Sequence, residues 1–256
     1  MSYDNIILET KDNVSRITIN RAPLNILDLK TMSEIMSALK EIQKMKAIKA
    51  VVFTGAGTKT FSAGVEVADH LPASVKEMLR VFHGMFREMI KLDQPTIAVV
   101  NGHALGGGCE LAIFCDMVVA SEKSQFGQPD IILGNFAPLA LAAYPFFIWR
   151  KKVYEFLFTG DSISAKEAER IGLVNIVVPE EELKGAEEAL LGKLRRLSSV
   201  AIRASKKAMA VTFNEQFEKA LDAIEDIYLT ELALSEDGLE GLTAFLEKRS
   251  PVWKEK

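Results

Sequence analysis

The sequence predicts an α/β fold, in which a core of mainly parallel strands is followed by a helical C-terminal region. Short apolar runs rich in β-branched residues alternate with amphipathic segments from Ile6 to Val178, which is typical of parallel sheets covered by helices. From Glu180 onward the pattern is helical and carries many charges. We therefore expect a core over residues 1–195 and a second, helical region over residues 196–256.

The N-terminal segment predicts a β-hairpin followed by a helix. The expected strands are Ile6–Glu9 and Val14–Asn20, and Asp12-Asn13 between them has the residue types of a tight turn. Asp28 can cap a helix that runs to about Met45, because apolar residues recur on one face of that segment.

A buried strand at Ala50–Thr54 leads into a glycine-containing segment, Gly55–Thr60. We interpret this segment as a plain turn, because it lacks the Lys-Ser/Thr ending of a phosphate-binding loop and the third glycine of a dinucleotide fingerprint. A second turn of small residues follows at Phe61–Val67, and an amphipathic helix is expected over Arg80–Leu92.

The later elements continue the alternation of strands and helices. Met117–Ala120 predicts a strand, and Ser164 to Glu167 forms a capping box that opens a short helix, which Gly172 is suited to end. A last strand is expected at Leu173–Val178, followed by helices at residues 183–197, 201–209, 217–234 and 238–248.

Composition and charge exclude several classes of protein. The chain has 256 residues, of which 48% are hydrophobic and 26% are charged, with a net charge of -4. This net negative charge does not favour binding to nucleic acid or to an anionic membrane. No apolar stretch reaches membrane-spanning length and no secretory signal is visible, so we expect a cytoplasmic protein. Cys109 and Cys115 fit neither a disulfide framework nor a zinc site, and we expect no metal.

The chain is organised around the stretch from Thr96 to Asp116. A strand at Ile97–Val100 is followed by three glycines at 106–108 and then by a helix-forming run. This order gathers free backbone N–H groups at a helix N-terminus. Glu110 lies in the first turn of that helix. It can merely complement the helix dipole, or it can be a carboxylate beside an oxyanion hole, and this stretch alone leaves both readings open.

Five motifs along the chain resemble the crotonase (enoyl-CoA hydratase/isomerase) superfamily. They are Phe61–Val65, Asn101–Leu111, Phe126–Asp130, Ala165–Val174 and Phe245–Arg249. Their order and spacing are far more specific than any one of them. The resemblance implies a crotonase-like spiral of ββα repeats, with a C-terminal helical region that builds homotrimers, often paired as homohexamers. It also implies an acyl-CoA thioester as substrate, so that coenzyme A enters with the substrate and no separate cofactor is expected.

The resemblance also implies a catalytic constellation. The backbone N–H groups of Val65 and Gly107 would form the oxyanion hole, which stabilises the negative charge that develops on a thioester oxygen. Glu110 and Asp130 match the two carboxylates that hold one water in the family's hydratases. We expect Glu110 to deprotonate the water and Asp130 to relay the proton to carbon. The usual second acid is Glu, so the shorter Asp130 departs from the family pattern.

Residues for coenzyme A binding are implied in the same way. Pro23, Leu24 and Ala63 would lie near the adenine, and Phe245 and Lys248 are expected from the C-terminal region of a neighbouring subunit. Lys248 offers a charge for the phosphates of coenzyme A. A solvated lysine that is favourable to the helix dipole is an equally good reading of this residue.

The acyl pocket shows a larger departure from the family pattern. Gly134–Ala143 is bulkier and more apolar than the glycine-rich run of the usual hydratases. It resembles the corresponding loop of the cyclohexa-1,5-diene-1-carbonyl-CoA hydratases of anaerobic benzoyl-CoA degradation, whose product is 6-hydroxycyclohex-1-ene-1-carbonyl-CoA. We therefore expect a compact apolar pocket whose wall includes His70, Phe136, Ala137 and Pro138. Three further stretches resemble that subgroup, namely Asp69–Pro72, Leu79–Gly84 and Glu240–Ser250.

Other functions remain open at this point. The same frame suits a generic short-chain enoyl-CoA hydratase or an enoyl-CoA isomerase, and an isomerase usually needs one carboxylate. A different class is a non-catalytic CoA- or RNA-binding protein, although the acidic net charge argues against RNA. We read His103 as structural, His83 as a further candidate for the pocket wall, and Cys109 as packing, because no nucleophile motif accompanies them.

Overall fold

The computed structural model describes residues 3–256 and confirms the α/β architecture with a helical C-terminal region. Its strands are β1 (Ile6–Lys11), β2 (Val14–Ile19), β3 (Ala50–Gly55), β4 (Thr60–Ser62), β5 (Thr96–Val100), β6 (His103–Leu105), β7 (Met117–Ser121), β8 (Gln125–Gly127), β9 (Ile163–Ser164) and β10 (Ile176–Val178). Its α-helices are α1 (Leu29–Gln43), α2 (Val75–Ile90), α3 (Gly107–Phe114), α4 (Pro138–Ala143), α5 (Arg150–Thr159), α6 (Ala165–Arg170), α7 (Leu183–Arg195), α8 (Ser199–Ile227) and α9 (Glu236–Leu246). Short 3₁₀ turns include Val67–His70 and Pro129–Leu133.

The strands form two sheets that the chain visits in turn. One sheet has the order β1-β2-β3-β5-β7-β10, and the other has the order β4-β6-β8-β9. Each of the pairs β3/β4, β5/β6 and β7/β8 contributes its first strand to the six-stranded sheet and its second strand to the four-stranded sheet. Each pair is followed by a helix, which is α2, α3 and α4 respectively. These are repeated ββα turns of a spiral. Pairing is parallel except for β1 with β2 and β8 with β9.

The predicted hairpin and first helix are confirmed. Asp12 and Asn13 have φ angles of 50° and 61°, the left-handed conformation that a two-residue hairpin turn needs at both positions. At the start of α1 the Asp28 carboxylate accepts a hydrogen bond from the Thr31 N–H at 2.8 Å, which satisfies one of the free donors of the first turn.

Two predicted helix boundaries and one strand boundary were wrong. Helix α2 begins at Val75 rather than Arg80, because Val75, Met78 and Leu79 extend its buried face. The expected helices at 201–209 and 217–234 are joined in the 29-residue helix α8, and a π-helical turn at Tyr228–Leu232 continues it. Strand β10 spans only Ile176–Val178, since the chain around Gly172 is still closing the end of α6 by hydrogen bonds to the Ala168 carbonyl.

Helix α8 stays continuous because of aromatic packing on the core. The rings of Phe213 and Phe217 are stacked with centroids 5.3 Å apart, and both contact Phe114 at the end of α3. Phe217, Leu221 and Tyr228 belong to the same buried cluster as strands β2, β3 and β5. The expected division of the chain into two regions at residue 195 coincides with the connection between α7 and α8. The hydrophobic core continues across this connection, and the division stays a prediction. Among the helices of residues 3–256, none is both long and apolar enough to cross a membrane.

Candidate active site

The first half of the site is the loop after β4, Ala63-Gly64-Val65. Gly64 has a φ of +101°, and a Cβ atom there would lie 2.9 Å from the Leu105 carbonyl oxygen, so both conformation and space favour glycine. The Gly64 carbonyl accepts from the Leu27 N–H at 2.8 Å, and the Glu66 N–H donates to the Leu27 carbonyl at 3.4 Å. These bonds fix the loop on both sides of the Val65 amide.

The second half is the start of α3. Gly106 adopts a φ of 49° and donates to the Gly127 carbonyl at 2.9 Å, which anchors the turn to β8. Gly107 is the first residue of the helix, and the N–H of a first helical residue has no intrahelical partner. Gly108 packs so tightly on β4 that a Cβ atom would lie 2.3 Å from the Ser62 carbonyl oxygen.

These two halves meet at one edge of a cavity. A Cβ atom on Gly107 would lie 2.7 Å from the Val65 Cγ2 atom, and one on Gly64 would lie 3.2 Å from the Gly107 nitrogen. Within residues 3–256 neither the Val65 N–H nor the Gly107 N–H donates to a protein acceptor. The structure therefore brings two free backbone donors together, as an oxyanion hole requires.

Glu110 lies one turn into α3 and is 3% exposed. Its Oε1 atom accepts a hydrogen bond from the Ala140 N–H at 2.9 Å. Ala140 belongs to the first turn of α4, which begins at Pro138, so this amide is one of the donors that a helix leaves free. The carboxylate is thereby held in a defined orientation between two helix N-termini.

Asp130 lies in the 3₁₀ turn Pro129–Leu133 that follows β8. The residue is half-buried, but its Oδ2 atom is fully buried and has no hydrogen-bond donor within the described chain. That oxygen lies 3.7 Å from the position that a Cβ on Gly106 would occupy, which places it beside the start of α3. A buried carboxylate oxygen without a donor is costly unless a ligand or water supplies one.

The loop, the helix start and both carboxylates line one cavity of about 310 Å³. Its remaining surface is largely apolar and comes from α2, from the segment 132–138, and from the C-terminal residues Tyr228, Leu242 and Phe245. A cavity of this type suits an apolar ligand that is oriented by a few polar groups.

The electrostatics of the two carboxyl groups are strongly perturbed. Burial, and next the charge of Asp130, raise the pKa of Glu110 well above its usual value, against which the Ala140 N–H acts. Burial also raises the pKa of Asp130, and the nearby His70 imidazole counteracts this effect. Two such groups in one cleft are candidates for acid–base chemistry, since one site can hold a proton while the other is ionised.

Most of the predicted site residues lie together. The cavity is lined by Ala63, Val65, His70, Gly107, Glu110, Asp130, Phe136, Ala137, Pro138 and Phe245. Pro23, Leu24 and Lys248 are not among its lining residues. Leu24 is half-exposed next to the first loop, where its carbonyl accepts from the Ala63 N–H at 3.0 Å. Their contacts with coenzyme A stay predictions.

Several lining residues were not found from the sequence. Met78 and Phe82 come from α2, whose amphipathic pattern marks them only as buried residues. Tyr228 directly follows α8, and its hydroxyl donates to the Asn135 Oδ1 atom at 2.9 Å. The one available signal was Asn135, a lone amide in an otherwise apolar segment.

The remaining candidates lie outside the cavity lining. His83 is fully buried, and its Nδ1 atom is 2.7 Å from the Glu225 carboxylate. His103 is exposed at the start of β6. Cys109 is buried beside the Tyr144 hydroxyl, and burial raises the pKa of its thiol. A thiol with a raised pKa is a poor nucleophile, in agreement with a packing role.

Known proteins are similar to this chain in sequence and in fold. A family model described as enoyl-CoA hydratase/isomerase matches residues 9–256. A crotonyl-CoA hydratase from Syntrophomonas wolfei is 36% identical over 254 residues, which cover 97% of either chain. A cyclohexa-1,5-dienecarbonyl-CoA hydratase from Thauera aromatica is 34% identical over 250 residues, which cover 96% of this chain and 95% of the relative.

Solved structures give the same result for the fold. An enoyl-CoA hydratase from Mycobacterium avium subsp. paratuberculosis superposes with a TM-score of 0.89 at 27% identity, covering 99% of this chain and 100% of the other. A carnitinyl-CoA hydratase from Mycobacterium avium gives a TM-score of 0.84 at 32% identity, with full coverage of both chains. Together with the ββα turns, these similarities confirm the expected fold class.

Proposed function

The chain belongs to the enoyl-CoA hydratase/isomerase family, and from this premise we propose that it hydrates cyclohexa-1,5-diene-1-carbonyl-CoA to 6-hydroxycyclohex-1-ene-1-carbonyl-CoA. Whichever acyl group it takes, the protein is an enzyme, a carbon–oxygen lyase that adds water to an unsaturated acyl-CoA thioester. The observation that supports hydration is the pair of carboxyl groups, Glu110 and Asp130, beside two free amides in one apolar cavity.

The amides of Val65 and Gly107 bind the thioester carbonyl oxygen in this reaction. Addition of water to the β carbon moves an electron pair through the conjugated system to that oxygen. Main-chain donors that are already in place stabilise the resulting charge without reorganisation, and the loss of one such donor typically costs about 100- to 1000-fold in rate.

The two carboxyl groups bind the water and transfer the protons of the reaction. One of them is ionised and accepts a proton from the attacking water as the C–O bond forms. The other is protonated and delivers its proton to carbon. A proton then passes between them to restore the starting state, so one water molecule is consumed and no further reactant is required. Groups that exchange acid and base roles in this way need perturbed pKa values, as both carboxyl groups have.

A cyclic diene places a further demand on the acid. Hydroxide attack at the β carbon leaves a dienolate, and protonation at its far end, the γ carbon, keeps one double bond conjugated with the thioester. The acid must therefore reach past the α carbon. Asp130 is one methylene shorter than the usual Glu, and Phe136, Ala137 and Pro138 form a compact apolar wall nearby. A cavity of about 150 Å³ holds a benzene ring, so a six-membered ring fits within about 310 Å³.

A short-chain enoyl-CoA such as crotonyl-CoA is the second candidate substrate. The 36% identity to a crotonyl-CoA hydratase supports it, and the same amides and carboxyl groups perform that reaction. The difference lies in the carbon that receives the proton, which is the α carbon for a linear enoyl thioester.

A substrate panel in deuterated water tests the proposal. The purified protein is assayed with the cyclic diene thioester, crotonyl-CoA and a longer linear enoyl-CoA. The expected products of the cyclic substrate gain one water and carry deuterium at the γ carbon of the former diene. Brisk hydration of crotonyl-CoA with no turnover of the cyclic thioester would overturn the cyclic substrate and leave the hydratase. No hydration of any thioester would overturn both.

We further propose a homotrimer or homohexamer, in which Phe245 and Lys248 of one subunit contact the coenzyme A bound to another. Phe245 is about half exposed at the edge of the cavity, so an adjoining subunit can cover it. Light scattering on the eluted protein measures the assembly mass. A monomer of 28.3 kDa would contradict this part of the proposal.

A further inference from the structure

We propose that Trp253 is a positioning residue for Asp130. Residues 249–256, which we call the C-terminal segment, fold back on α9, and the Trp253 indole packs on the turn that carries this carboxylate. The inference rests on the proposed hydratase function and goes beyond it, because it gives a residue that does not line the cavity a role in the reaction.

The Asp130 carboxylate takes its position from a short turn. The 3₁₀ turn Pro129–Leu133 ends at Gly134, whose φ is +65°. The Asn135 N–H donates to the Asp130 carbonyl at 3.0 Å, and the Gly134 N–H donates to the Ile131 carbonyl at 3.1 Å. Within the described chain the Asp130 Oδ2 atom has no hydrogen-bond donor. Because the protein does not hold that oxygen directly, the position of the carboxylate depends on the main chain of the turn.

Two neighbours hold this turn from outside. A Cβ atom on Gly134 would lie 3.0 Å from the Trp253 Cζ3 atom and 2.8 Å from the Asp237 carbonyl oxygen, so the indole and the first turn of α9 both contact this glycine closely. A Cβ atom on Gly241 would overlap the Leu133 carbonyl oxygen, which places α9 directly against the turn. Since packed groups transmit displacement to one another, a shift of either neighbour moves the turn.

Two carboxylates of α9 fasten the C-terminal segment. The Glu240 carboxylate accepts hydrogen bonds from the Arg249 guanidinium at 2.5 and 2.9 Å and from the Val252 N–H at 2.8 Å. The Asp237 carboxylate accepts from the main-chain N–H groups of the two residues after Trp253, at 2.6 and 2.8 Å. A bidentate pair of this kind has a defined geometry. The indole is therefore held between two anchored positions.

The burial of Trp253 agrees with this role. The residue is 42% exposed, so more than half of its surface is covered by protein, whereas Trp149, the other tryptophan of the sequence, is 86% exposed. A large aromatic ring supplies a wide contact area. Removal of the ring uncovers the Gly134 end of the turn, which can then move outward and carry Asp130 away from the substrate.

Steady-state kinetics of tryptophan variants test the inference. The substrate is whichever of crotonyl-CoA and the cyclic diene thioester the wild type hydrates. A misplacement of about 1 Å by a distant mutation can cost about 100-fold in rate, so we expect kcat of Trp253→Ala to fall about 10- to 100-fold. The dissociation constant of a saturated acyl-CoA, measured by calorimetry, should stay unchanged. Trp253→Phe keeps a ring on the turn and should retain most of the wild-type kcat.

Two further comparisons make the result specific to Asp130. Trp149→Ala removes the exposed tryptophan, which does not line the cavity, and should match the wild type. In an Asp130→Asn background the side chain cannot exchange a proton at neutral pH, so W253A should cause no further loss of kcat. Urea unfolding shows whether each variant is folded in the assay. Should W253A fail to fold, Glu240→Gln loosens the segment while the indole is retained, and it should show the same pattern.

Three results would overturn the inference and leave the hydratase intact. The first is a wild-type kcat in W253A. The second is a loss of kcat by the same factor with and without the Asp130 carboxylate, which would show that the effect does not pass through this residue. The third is a weaker affinity for the saturated acyl-CoA with unchanged kcat. A wild-type protein that hydrates no thioester would instead refute the proposed function, so the two failures are distinguishable.

Discussion

Replacement of Glu110 by Gln tests the acid–base chemistry with little change of shape. The amide oxygen of Gln can still accept the hydrogen bond from the Ala140 N–H, which lies 2.9 Å from Oε1 in the wild type. The amide cannot exchange a proton at neutral pH. The variant therefore retains the cavity and removes only the transfer of a proton at this position.

The expected loss follows from burial and from the role of the group. A general acid or base contributes about 100- to 10,000-fold to the rate. Glu110 is 3% exposed, so bulk water cannot take its place, and we expect a loss near the upper end. A fall of about 1000- to 10,000-fold in kcat corresponds to about 4 to 5 kcal/mol of transition-state stabilisation.

The assay follows hydration of the enoyl thioester and, separately, the binding of a saturated acyl-CoA. We expect kcat to fall with an unchanged dissociation constant. Glu88→Gln is the matched control, because Glu88 is also buried but is bound to Gln43 and Lys91 outside the cavity lining. A loss of less than about tenfold in E110Q would refute proton transfer by this residue. An equal loss in E88Q would show that any buried Glu→Gln change inactivates the protein.

Four further predictions concern stability and the oxyanion hole. Burial raises the pKa of Glu110 in the folded state, so the wild type should lose stability relative to E110Q as the pH rises above the usual carboxyl pKa of 4.5. Tm values measured for both proteins from pH 4 to pH 8 should therefore diverge. Gly64→Ala places a Cβ 2.9 Å from the Leu105 oxygen at a φ of +101°, and kcat should fall about 100-fold through displacement of the Val65 amide; wild-type kcat would contradict the oxyanion hole. Tyr228→Phe leaves the buried Asn135 Oδ1 without its 2.9 Å donor and should lower the free energy of unfolding in urea by about 1 to 3 kcal/mol. An unchanged free energy of unfolding would mean that water replaces the hydroxyl. Phe217→Ala should destabilise the protein by about 3 to 5 kcal/mol, since its ring is fully buried against Phe114 and Phe213; a loss below about 1 kcal/mol would show that α8 is not anchored by this ring.

Local signals in the sequence were sufficient for the elements that carry the amides. Gly64 and the glycine run at 106–108 occupy positions where a Cβ would clash or a positive φ is required. The type of residue therefore reports the local backbone. The alternation of strands and helices likewise reports burial on each face, which is why the fold class was predicted correctly.

Long-range contacts could not be predicted in the same way. The donor that orients Glu110 is a main-chain amide thirty positions away, and any residue except Pro would supply it. Phe213 lies in a segment of modest helix propensity, and its stacking on Phe217 keeps α8 continuous. The charge balance around Asp130 depends on His70, sixty residues earlier in the chain. Such effects arise from tertiary proximity, which residue types alone do not encode.

The cavity lining begins at Ala63 and ends at Phe245, and this span has a consequence for biosynthesis. A nascent chain that has left the ribosome as far as α5 already contains Glu110 and Asp130, but it lacks Tyr228, Leu242 and Phe245 from the far wall. In such a chain the cavity is open on the side that these three residues close in the complete protein. The enclosed cavity is therefore completed only when the last helix docks, and a chain that ends before Tyr228 lacks one wall of the site even if its sheets have formed.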